Sequence, residues 1–178
     1  MSKNQGELKA AVGASDHVQG PADAPVTLVE YGDYECPYCG MAFPVVKRVQ
    51  ARLGDRLRFV FRNFPLTQAH PLAQMAAELA EAAATLGQFW PMHDWIYENQ
   101  ETWSEGGAEE LLKGIVVLAL DVAALERALK QPQLAHRIKS DFNSGVRSGV
   151  NGTPSFFING RLHTGAPQSL AQAIERLI

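Results

Sequence analysis

The pattern of apolar and polar positions predicts two strands on either side of a helix near the start of the chain. Residues 26–31 (VTLVEY) and 57–61 (LRFVF) are rich in β-branched and aromatic side chains, which is typical of buried strands. Between them the apolar residues follow a helical spacing: Ala42, Phe43, Val46, Val49 and Leu53. This order predicts a right-handed βαβ unit with parallel strands, and a kink in the helix at Pro44.

The apolar period becomes helical from His70 to Val150, and this stretch carries no strand signal. One of its stripes has apolar residues four positions apart: Leu134, Ile138, Phe142, Val146 and Val150. We therefore interpret residues 66–150, approximately, as a helical insertion between elements of the sheet.

The strand pattern returns in residues 155–163, where SFFI and RLH are separated by Asn159-Gly160. This dipeptide is a strong hairpin signal, because a type I′ turn needs positive φ at both central positions. Pro167 then opens a last helix that is expected to bury three residues: Leu170, Ile174 and Leu177. The complete order predicts an α/β fold made of βαβ, a helical insertion and ββα.

Length, charge and apolar content exclude several classes of protein. The chain has 178 residues and a formal net charge of -3, with no basic cluster longer than Lys47-Arg48 to neutralise nucleic-acid phosphates. No apolar run approaches the roughly 18 residues that suggest a membrane span. We expect neither a nucleic-acid partner nor membrane insertion. We expect one domain at 16–178, preceded by a flexible N-terminal arm at 1–15 that is rich in small and polar residues.

The first residues also bear on the cellular compartment. Residues 1–17 (MSKNQGELKAAVGASDH) contain lysine but lack the apolar segment of a signal peptide. A cytoplasmic location is therefore expected, or a periplasmic one if a leader has been removed.

The two cysteines, Cys36 and Cys39, lie three positions apart in YGDYECPYCG, and three kinds of site are compatible with this spacing. A structural disulfide across so short a loop removes little entropy from the unfolded chain, so it stabilises poorly. A structural zinc site needs four ligands. The five histidines show no paired spacing that would complete one, although a site shared across a dimer stays open: His17, His70, His93, His136 and His163.

A redox pair is the third kind of site, and it agrees best with the position of the cysteines after strand 26–31. Cys36 is expected at the N-terminus of the following helix, where unpaired N–H groups and the helix dipole stabilise a thiolate. Pro37 suits the first helical position because it lacks an N–H. Cys39 follows one turn later on the same face. A CxxC motif beside a βαβ pattern indicates thioredoxin-like redox chemistry.

Two longer stretches, ADAPVTLVEYGDYECPYCG and GVNGTPSFFING, resemble the DsbA-like thiol–disulfide oxidoreductases of the thioredoxin superfamily. The resemblance extends from about Asp16 to the end of the chain. It implies a thioredoxin fold with a helical insertion between the βαβ unit and the C-terminal ββα unit. It also implies that Cys36 attacks, that Cys39 resolves, and that Pro154 is a cis-proline facing both.

The resemblance implies roles for further residues around the cysteines. Thr153, just before the proline, would offer backbone groups to an extended substrate strand. Glu30 matches an acidic residue beneath the active site, where a raised pKa would suit it to exchange a proton with Cys39. The alternative for Glu30 is a strand-edge carboxylate that reaches solvent. Pro37 and Tyr38 are expected to contact substrate.

Pro37-Tyr38 is also where the chain departs from the strongly oxidising members of the family, which usually have Pro-His between the cysteines. We therefore expect a protein in the reducing half of the superfamily, which agrees with a reducing cytoplasm. The remaining conspicuous residues receive ordinary structural interpretations. His70 and His163 are expected in surface or capping roles, and the tryptophans in core packing: Trp90, Trp95 and Trp103.

The leading hypothesis is a thiol–disulfide oxidoreductase that exchanges with protein substrates through a mixed disulfide and needs no metal, nucleotide or other cofactor. Its expected partners are protein thiols and disulfides, glutathione, and a redox protein that regenerates the cysteine pair. A glutathione-dependent, glutaredoxin-like reductase is a second hypothesis. A non-catalytic module that binds peptides is a third, and a Cys36 pKa near the ordinary value of about 8.5 would favour it.

Overall fold

The computed structural model describes residues 6–178, in which five strands form one sheet. In chain order these are β1 (His17–Gln19), β2 (Val26–Gly32), β3 (Leu57–Asn63), β4 (Ser155–Ile158) and β5 (Arg161–His163). Their order in space is β1-β3-β2-β4-β5. Strands β2 and β3 are parallel, and the other neighbouring pairs are antiparallel. The predicted parallel pair and the predicted C-terminal hairpin are both confirmed.

The helices of the described chain pack around this sheet. They are α1 (Pro37–Leu53), α2 (Ala73–Ala84), α3 (Phe89–Glu98), α4 (Gln100–Gly106), α5 (Ala108–Val117), α6 (Val122–Leu129), α7 (Pro132–Arg147) and α8 (Leu170–Glu175). Short 3-10 turns precede β3 and α8, at Gly54–Arg56 and Pro167–Ser169. Helices α2 to α7 lie between β3 and β4, so the thioredoxin fold with a helical insertion is confirmed. None of the helices in the described residues is long and apolar enough to cross a membrane.

The alternation of β2 decides which of its side chains face the active-site helix. Val26 and Leu28 belong to a large apolar cluster that also contains Cys36 and Cys39 from the start of α1. Val29 and Tyr31 belong to a smaller cluster on the opposite face. Because side chains alternate along a strand, Glu30 shares the face of Val26 and Leu28. The strand therefore directs the Glu30 carboxyl group toward the layer of the cysteines.

The hairpin between β4 and β5 has the predicted turn geometry. Asn159 and Gly160 have φ values of 47° and 80°, which are the positive values that a type I′ turn requires. The Asn159 side chain also fixes the turn to the neighbouring strand, since its Oδ1 accepts a hydrogen bond from the Thr27 N–H at 2.7 Å.

Two apolar residues of the predicted helical stripes lie on the surface. Helix α8 ends at Glu175, so Leu177 is exposed while Leu170 and Ile174 are buried. In α7, Val146 is exposed although Leu134 and Ile138 are buried. Steps of four residues rotate the stripe by about 40° each in a helix of 3.6 residues per turn, which carries Val146 away from the core.

The N-terminal segment differs from the flexible arm expected at residues 1–15. Residues 1–5 lie outside the described residues. Glu7 forms a β-bridge with Arg161, and the Leu8 N–H donates to the Gly160 carbonyl at 2.8 Å. Leu8 and Val12 pack against the smaller apolar cluster. Residues 6–12 thus cover the β5 edge of the sheet, because their backbone supplies hydrogen bonds that this edge strand would otherwise lack.

Candidate active site

The fold places Cys36 at the N-cap of α1, immediately after the carboxyl end of β2. Its backbone is extended, with φ −67° and ψ 120°, and Pro37 occupies the first helical position. Cys36 is 3% exposed, whereas Pro37 and Tyr38 that follow it are exposed. The Cys36 N–H donates to the Asp33 carbonyl at 3.2 Å, which fixes the turn into the helix. A strand end, a tight turn and a proline at N1 together position the sulfur at the helix terminus.

Hydrogen bonds around this sulfur stabilise its ionised form. The pKa of Cys36 is lowered to about 5, chiefly by a hydrogen bond from Cys39, with further hydrogen bonds from Thr153 and from the backbone N–H groups of Cys39 and Tyr38. Burial acts in the opposite direction, but it is outweighed. The backbone donors, at Tyr38 and Cys39, belong to the helix terminus that was expected to stabilise the thiolate. The resolving cysteine supplies the largest contribution.

Cys39 has the opposite electrostatic character. Its side chain is fully buried, and the Asp33 N–H lies 3.5 Å from its Sγ. Burial, the hydrogen bond to Cys36 and the negative charge of Glu30 raise the pKa of the Cys39 thiol well above its ordinary value. At neutral pH the pair therefore consists of one thiolate and one thiol.

Glu30 lies beneath the two cysteines and does not reach solvent. It is 3% exposed and aligned with Phe61 of β3 and Phe156 of β4 in the sheet register. Burial in this apolar layer, and then the negative charge of Cys36, raise the pKa of Glu30 to about 8. The alternative interpretation of a solvent-reaching carboxylate at a strand edge is wrong, because β2 is the central strand of the sheet.

The loop before β4 brings Thr153 and Pro154 to the same site. The Thr153-Pro154 peptide bond is cis. The Cys36 Sγ lies 3.4 Å from the Thr153 carbonyl oxygen. The Thr153 hydroxyl is also buried, and the ionised Cys36 sulfur is the acceptor available to it. This loop reaches Cys36 because β4 pairs with β2, the strand that leads into the cysteine turn.

Asp33 is a buried acid at the centre of the turn that sequence reasoning missed. Its fully buried carboxylate accepts hydrogen bonds from the Glu35 N–H at 2.8 Å, the Leu66 N–H at 2.8 Å and His70 Nδ1 at 2.7 Å. His70 was expected in a surface or capping role, and the structure instead joins it to this turn. No local pattern indicates the contact, since 37 positions separate Asp33 from His70.

The insertion also contributes directly to the site through Gln100, the first residue of α4. Its Nε2 donates to the backbone carbonyl oxygens of Tyr34 at 2.7 Å and Cys36 at 2.9 Å. The tryptophans have the packing role that was expected. Trp103 is fully buried and donates its indole N–H to the Ile96 carbonyl at 2.7 Å, and the other two pack against the same cluster: Trp90 and Trp95.

Two further hypotheses concerned His163 and a metal site that would include the cysteines. His163 Nε2 is 2.9 Å from the Ser169 hydroxyl, beside the turn that precedes α8. Within residues 6–178, no cluster of three or more histidine, cysteine, aspartate or glutamate side chains has an arrangement that could hold a metal ion. The described residues of the site comprise a pair of thiols, the hydrogen-bond donors around them and the two buried carboxyl groups of Glu30 and Asp33.

Known proteins resemble the chain in both sequence and fold. A family model described as thioredoxin matches residues 13–176. The thiol-disulfide exchange protein alpha-DsbA2 from Wolbachia pipientis has a TM-score of 0.79 at 19% identity, covering 93% of this chain and 88% of that one. A thioredoxin-like oxidoreductase from Silicibacter pomeroyi has a TM-score of 0.73 at 26% identity, covering 92% of each chain.

A curated relative has a different kind of name. The Na(+)/H(+) antiporter NhaA 3 of Salinispora tropica is 47% identical over 150 residues, which are 84% of this chain and 22% of the relative. The chain therefore spans about a fifth of the length of this relative, and the similarity concerns that part alone.

The family match extends over almost all of the described residues, and the two similar structures cover 93% and 92% of the chain. The cysteine pair stands at the start of α1, within the matched region. The chain belongs to the thioredoxin family.

Proposed function

We propose that the protein is a thiol–disulfide oxidoreductase that acts on protein substrates. One observation carries the proposal, namely that Cys36 has a pKa lowered to about 5 while the neighbouring Cys39 has a raised pKa. The thiolate is the nucleophile in disulfide exchange, and a lower pKa also makes it a better leaving group. At neutral pH the pair thus combines an ionised sulfur that can attack with a second sulfur that stays protonated until the resolving step.

In the proposed reaction the Cys36 thiolate attacks one sulfur of a substrate disulfide. An S–S bond forms between Cys36 and the substrate, the substrate S–S bond breaks, and the other substrate sulfur leaves as a thiolate that takes up a proton. Cys39 then loses its proton and attacks Cys36 Sγ, which releases the second substrate thiol. Two electrons pass from the cysteine pair to the substrate, and the reverse sequence oxidises a substrate dithiol.

We propose that Glu30 accepts the proton that Cys39 loses in the resolving step. The resolving step needs Cys39 to lose a proton in a fully buried position, where ionisation is costly. The Glu30 carboxyl group is close enough for its charge to raise the pKa of Cys39. Its own pKa of about 8 includes a contribution from the Cys36 thiolate, which the mixed disulfide lacks, so Glu30 ionises more readily at the step in which it accepts the proton. A single water between the two groups would complete the transfer.

Substrate contacts are proposed at the exposed surface around Cys36. Tyr38 and Met41 are 66% and 59% exposed, and with Pro37 they form an apolar surface next to the sulfur. The Thr153 backbone would pair with an extended substrate strand, and Pro154 adds no competing N–H because proline has none. The fold supports an extended substrate, since this loop leads into β4.

The pKa of Cys36 also bears on the direction of exchange. A stabilised thiolate favours the reduced protein and therefore makes its disulfide more oxidising. The value of about 5 lies between those of thioredoxin, near 7, and of DsbA, near 3.5. It argues against a position in the reducing half of the superfamily, which was expected from Pro37-Tyr38, and we propose an intermediate reduction potential. A cytoplasmic location, expected together with that character, stays a prediction.

The competing hypotheses receive less support from the geometry. A peptide-binding module would not need a Cys36 pKa far below the ordinary value, so this pKa favours catalysis. Glutathione is retained as a small-thiol partner rather than as the principal substrate. Ion transport is no part of the proposal, because the antiporter name describes whole proteins of which this chain matches about a fifth. We propose residues 16–178 as one domain with the insertion at 66–150, which the family match supports.

Insulin reduction by dithiothreitol tests the proposal. The wild type should accelerate insulin precipitation well above the rate with dithiothreitol alone, and Cys36→Ser should reduce the rate to that background. A Cys36→Ser rate equal to that of the wild type would rule the proposal out. Turnover of a glutathione mixed disulfide, measured with the same preparations, should be slower than turnover of protein disulfides; a much faster turnover would support the glutaredoxin-like alternative.

A further inference from the structure

His70 makes polar contacts beside the cysteines that the exchange steps described above do not use. Its Nδ1 is 2.7 Å from Asp33 Oδ2, and its side chain is 19% exposed against complete burial of the Asp33 side chain. His70 lies in the connection between β3 and α2, and its N–H donates to the Leu66 carbonyl at 2.9 Å. This connection is also tied to the cysteine turn at Glu35, whose Oε2 accepts the Leu72 N–H at 2.6 Å.

The Asp33 backbone links His70 to both cysteines, through the N–H of Cys36 and the sulfur of Cys39. The Asp33 carbonyl accepts the Cys36 N–H at 3.2 Å, and the Asp33 N–H lies 3.5 Å from Cys39 Sγ. The carboxylate that holds His70 therefore belongs to the residue that contacts the two cysteines. His70 is also close enough to Cys36 for the charge of the thiolate to contribute to its raised pKa.

A cation near the cysteine turn would stabilise the negative charges that are gathered there. Asp33 and Glu35 bring negative charge to the turn, and a thiolate at Cys36 adds a further one. Burial lowers the pKa of His70, but the hydrogen bond and charge of Asp33, followed by the charges of Cys36 and Glu35, raise it overall. An imidazolium at His70 neutralises the charge of the Asp33 carboxylate. The Cys36 thiolate is then near an ion pair with no net charge instead of a carboxylate that would repel it.

We propose that His70 is a positioning residue for the exchange reaction, whose imidazolium, held by Asp33, stabilises the Cys36 thiolate and shifts the thiol–disulfide equilibrium toward the reduced protein. This inference rests on the proposed function. It extends that function by identifying a residue that sets the redox equilibrium from outside the CxxC motif.

The effect follows from the charge balance of the reaction. Reduction of the Cys36–Cys39 disulfide at neutral pH takes two electrons from a dithiol or from two glutathione molecules and leaves one protein thiolate and one protein thiol. The disulfide carries no charge, so the His70 cation attracts the reduced state alone. By linkage, the reduced state must in turn favour the protonated form of His70.

The reciprocal effect is measurable in the wild-type protein. We expect the His70 pKa, followed by NMR of its ring protons, to be higher in the reduced protein than in the disulfide form by roughly half a unit to one unit. A partly buried charge pair in a dielectric intermediate between protein and water would give a shift of this size. Reduced Cys36→Ser, which has no thiolate, should resemble the disulfide form. Equal His70 pKa values in all three samples would overturn the inference.

A charge-removing variant tests the same inference from the side of the sulfur. Asparagine at position 70 retains a side-chain N–H for Asp33 but has no charge. In His70→Asn we expect the glutathione equilibrium constant for reduction to fall roughly three- to tenfold and the Cys36 pKa, read from thiolate absorbance, to rise accordingly. His136→Asn, on the exposed side of α7, should match the wild type.

The outcomes separate this inference from the proposed function. A wild type without exchange activity would reject the proposed function. A wild type with activity, combined with a His70→Asn equilibrium constant equal to that of His136→Asn, would reject the role of His70 alone. If His70→Asn fails to fold, the titration of the wild type in its two redox states decides the question by itself.

Discussion

The side-chain amide of Gln100 donates a hydrogen bond to the backbone carbonyl oxygen of Cys36 at 2.9 Å. Gln100 begins α4, so the helical insertion is attached directly to the turn that holds the attacking sulfur. The same amide donates to the Tyr34 carbonyl at 2.7 Å. Gly40, in the first turns of α1, leaves the room for this contact, because a Cβ at that position would overlap Gln100 Oε1.

Gly40→Ala should therefore destabilise the protein although alanine is the better helix former. The added methyl group displaces the Gln100 side chain and removes its two hydrogen bonds, and each bond contributes about 1 kcal/mol. Alanine would return up to about 1 kcal/mol of helix propensity. We expect a net loss of about 1 kcal/mol in the free energy of unfolding, measured by urea denaturation of the disulfide form.

The Gln100→Ala background provides the control for this prediction. Without the Gln100 side chain the overlap is absent, so Gly40→Ala should be neutral or stabilising there. Gln133→Ala on the exposed side of α7 should change the free energy of unfolding by less than about 0.5 kcal/mol. An equal cost of Gly40→Ala in the wild-type and Gln100→Ala backgrounds would show that Gln100 does not mediate the effect.

The parts of the fold that sequence predicts correctly depend on local patterns. The βαβ unit, the hairpin at Asn159-Gly160 and the helix start at Pro37 are all encoded within a few neighbouring residues, through periodicity and turn chemistry. The short strand β1 was not predicted, because three residues, His17–Gln19, are too few to show an alternation of apolar and polar side chains. It exists because β3 offers it an antiparallel partner.

The residues of the site also fall into those that local sequence patterns identify and those that such patterns do not. Cys36 and Cys39 are recognisable from their spacing and from the strand before them. Asp33–His70 and Gln100–Cys36 join residues 37 and 64 positions apart, and no local pattern indicates which polar residues will meet across the insertion. Glu30 was identified through the family resemblance, and its burial follows from the central position of β2, which only the complete sheet reveals.

The pH dependence of alkylation should reveal the ionisation of Cys36 directly. A thiolate reacts with iodoacetamide and a thiol does not, so the rate should rise with pH through an inflection near 5 and stay level above it. The unfolded protein in guanidinium should show its inflection near 8.5. A folded protein with an inflection near 8.5 would contradict the stabilised thiolate.

Variants of Cys39 should identify the source of that stabilisation. The hydrogen bond from Cys39 is the largest cause of the lowered Cys36 pKa. Cys39→Ala removes this donor and should raise the alkylation inflection, whereas Cys39→Ser retains an O–H donor and should give an intermediate value. Identical inflections in the two variants would show that the helix N–H groups and Thr153 act alone.

Cys39→Ala should also arrest the exchange after its first step. Cys36 still attacks a disulfide of insulin, but no second sulfur can release the substrate, so a mixed disulfide between Cys36 and one sulfur of the opened insulin disulfide should accumulate. Non-reducing electrophoresis and intact mass spectrometry measure this adduct, and dithiothreitol should cleave it by reducing its disulfide bond. The double variant Cys36→Ser, Cys39→Ala should form none, and an adduct in that variant would place the reactive sulfur elsewhere.

Glu30→Gln should change the pH profile of stability in a direction set by the raised pKa of Glu30. The folded protein keeps Glu30 protonated up to about pH 8, whereas the unfolded chain releases that proton near pH 4.5. The unfolded state therefore binds fewer protons between these values, and the wild type loses stability as the pH rises through this range. In Glu30→Gln this loss is absent, so the stability difference between variant and wild type should widen by on the order of 2 kcal/mol from pH 5 to pH 7.

Urea denaturation of the disulfide forms measures this difference without ionisation of Cys36, and the burial that dominates the Glu30 pKa is present in that form as well. Glu109→Gln, an exposed substitution on α5, should keep a profile parallel to that of the wild type. The same Glu30→Gln protein should resolve mixed disulfides at least tenfold more slowly, because it has lost the proposed proton acceptor of Cys39. Glu30→Gln could instead gain stability and still resolve mixed disulfides at the wild-type rate. That result would show that Glu30 is a buried acid that destabilises the folded protein but takes no part in the exchange.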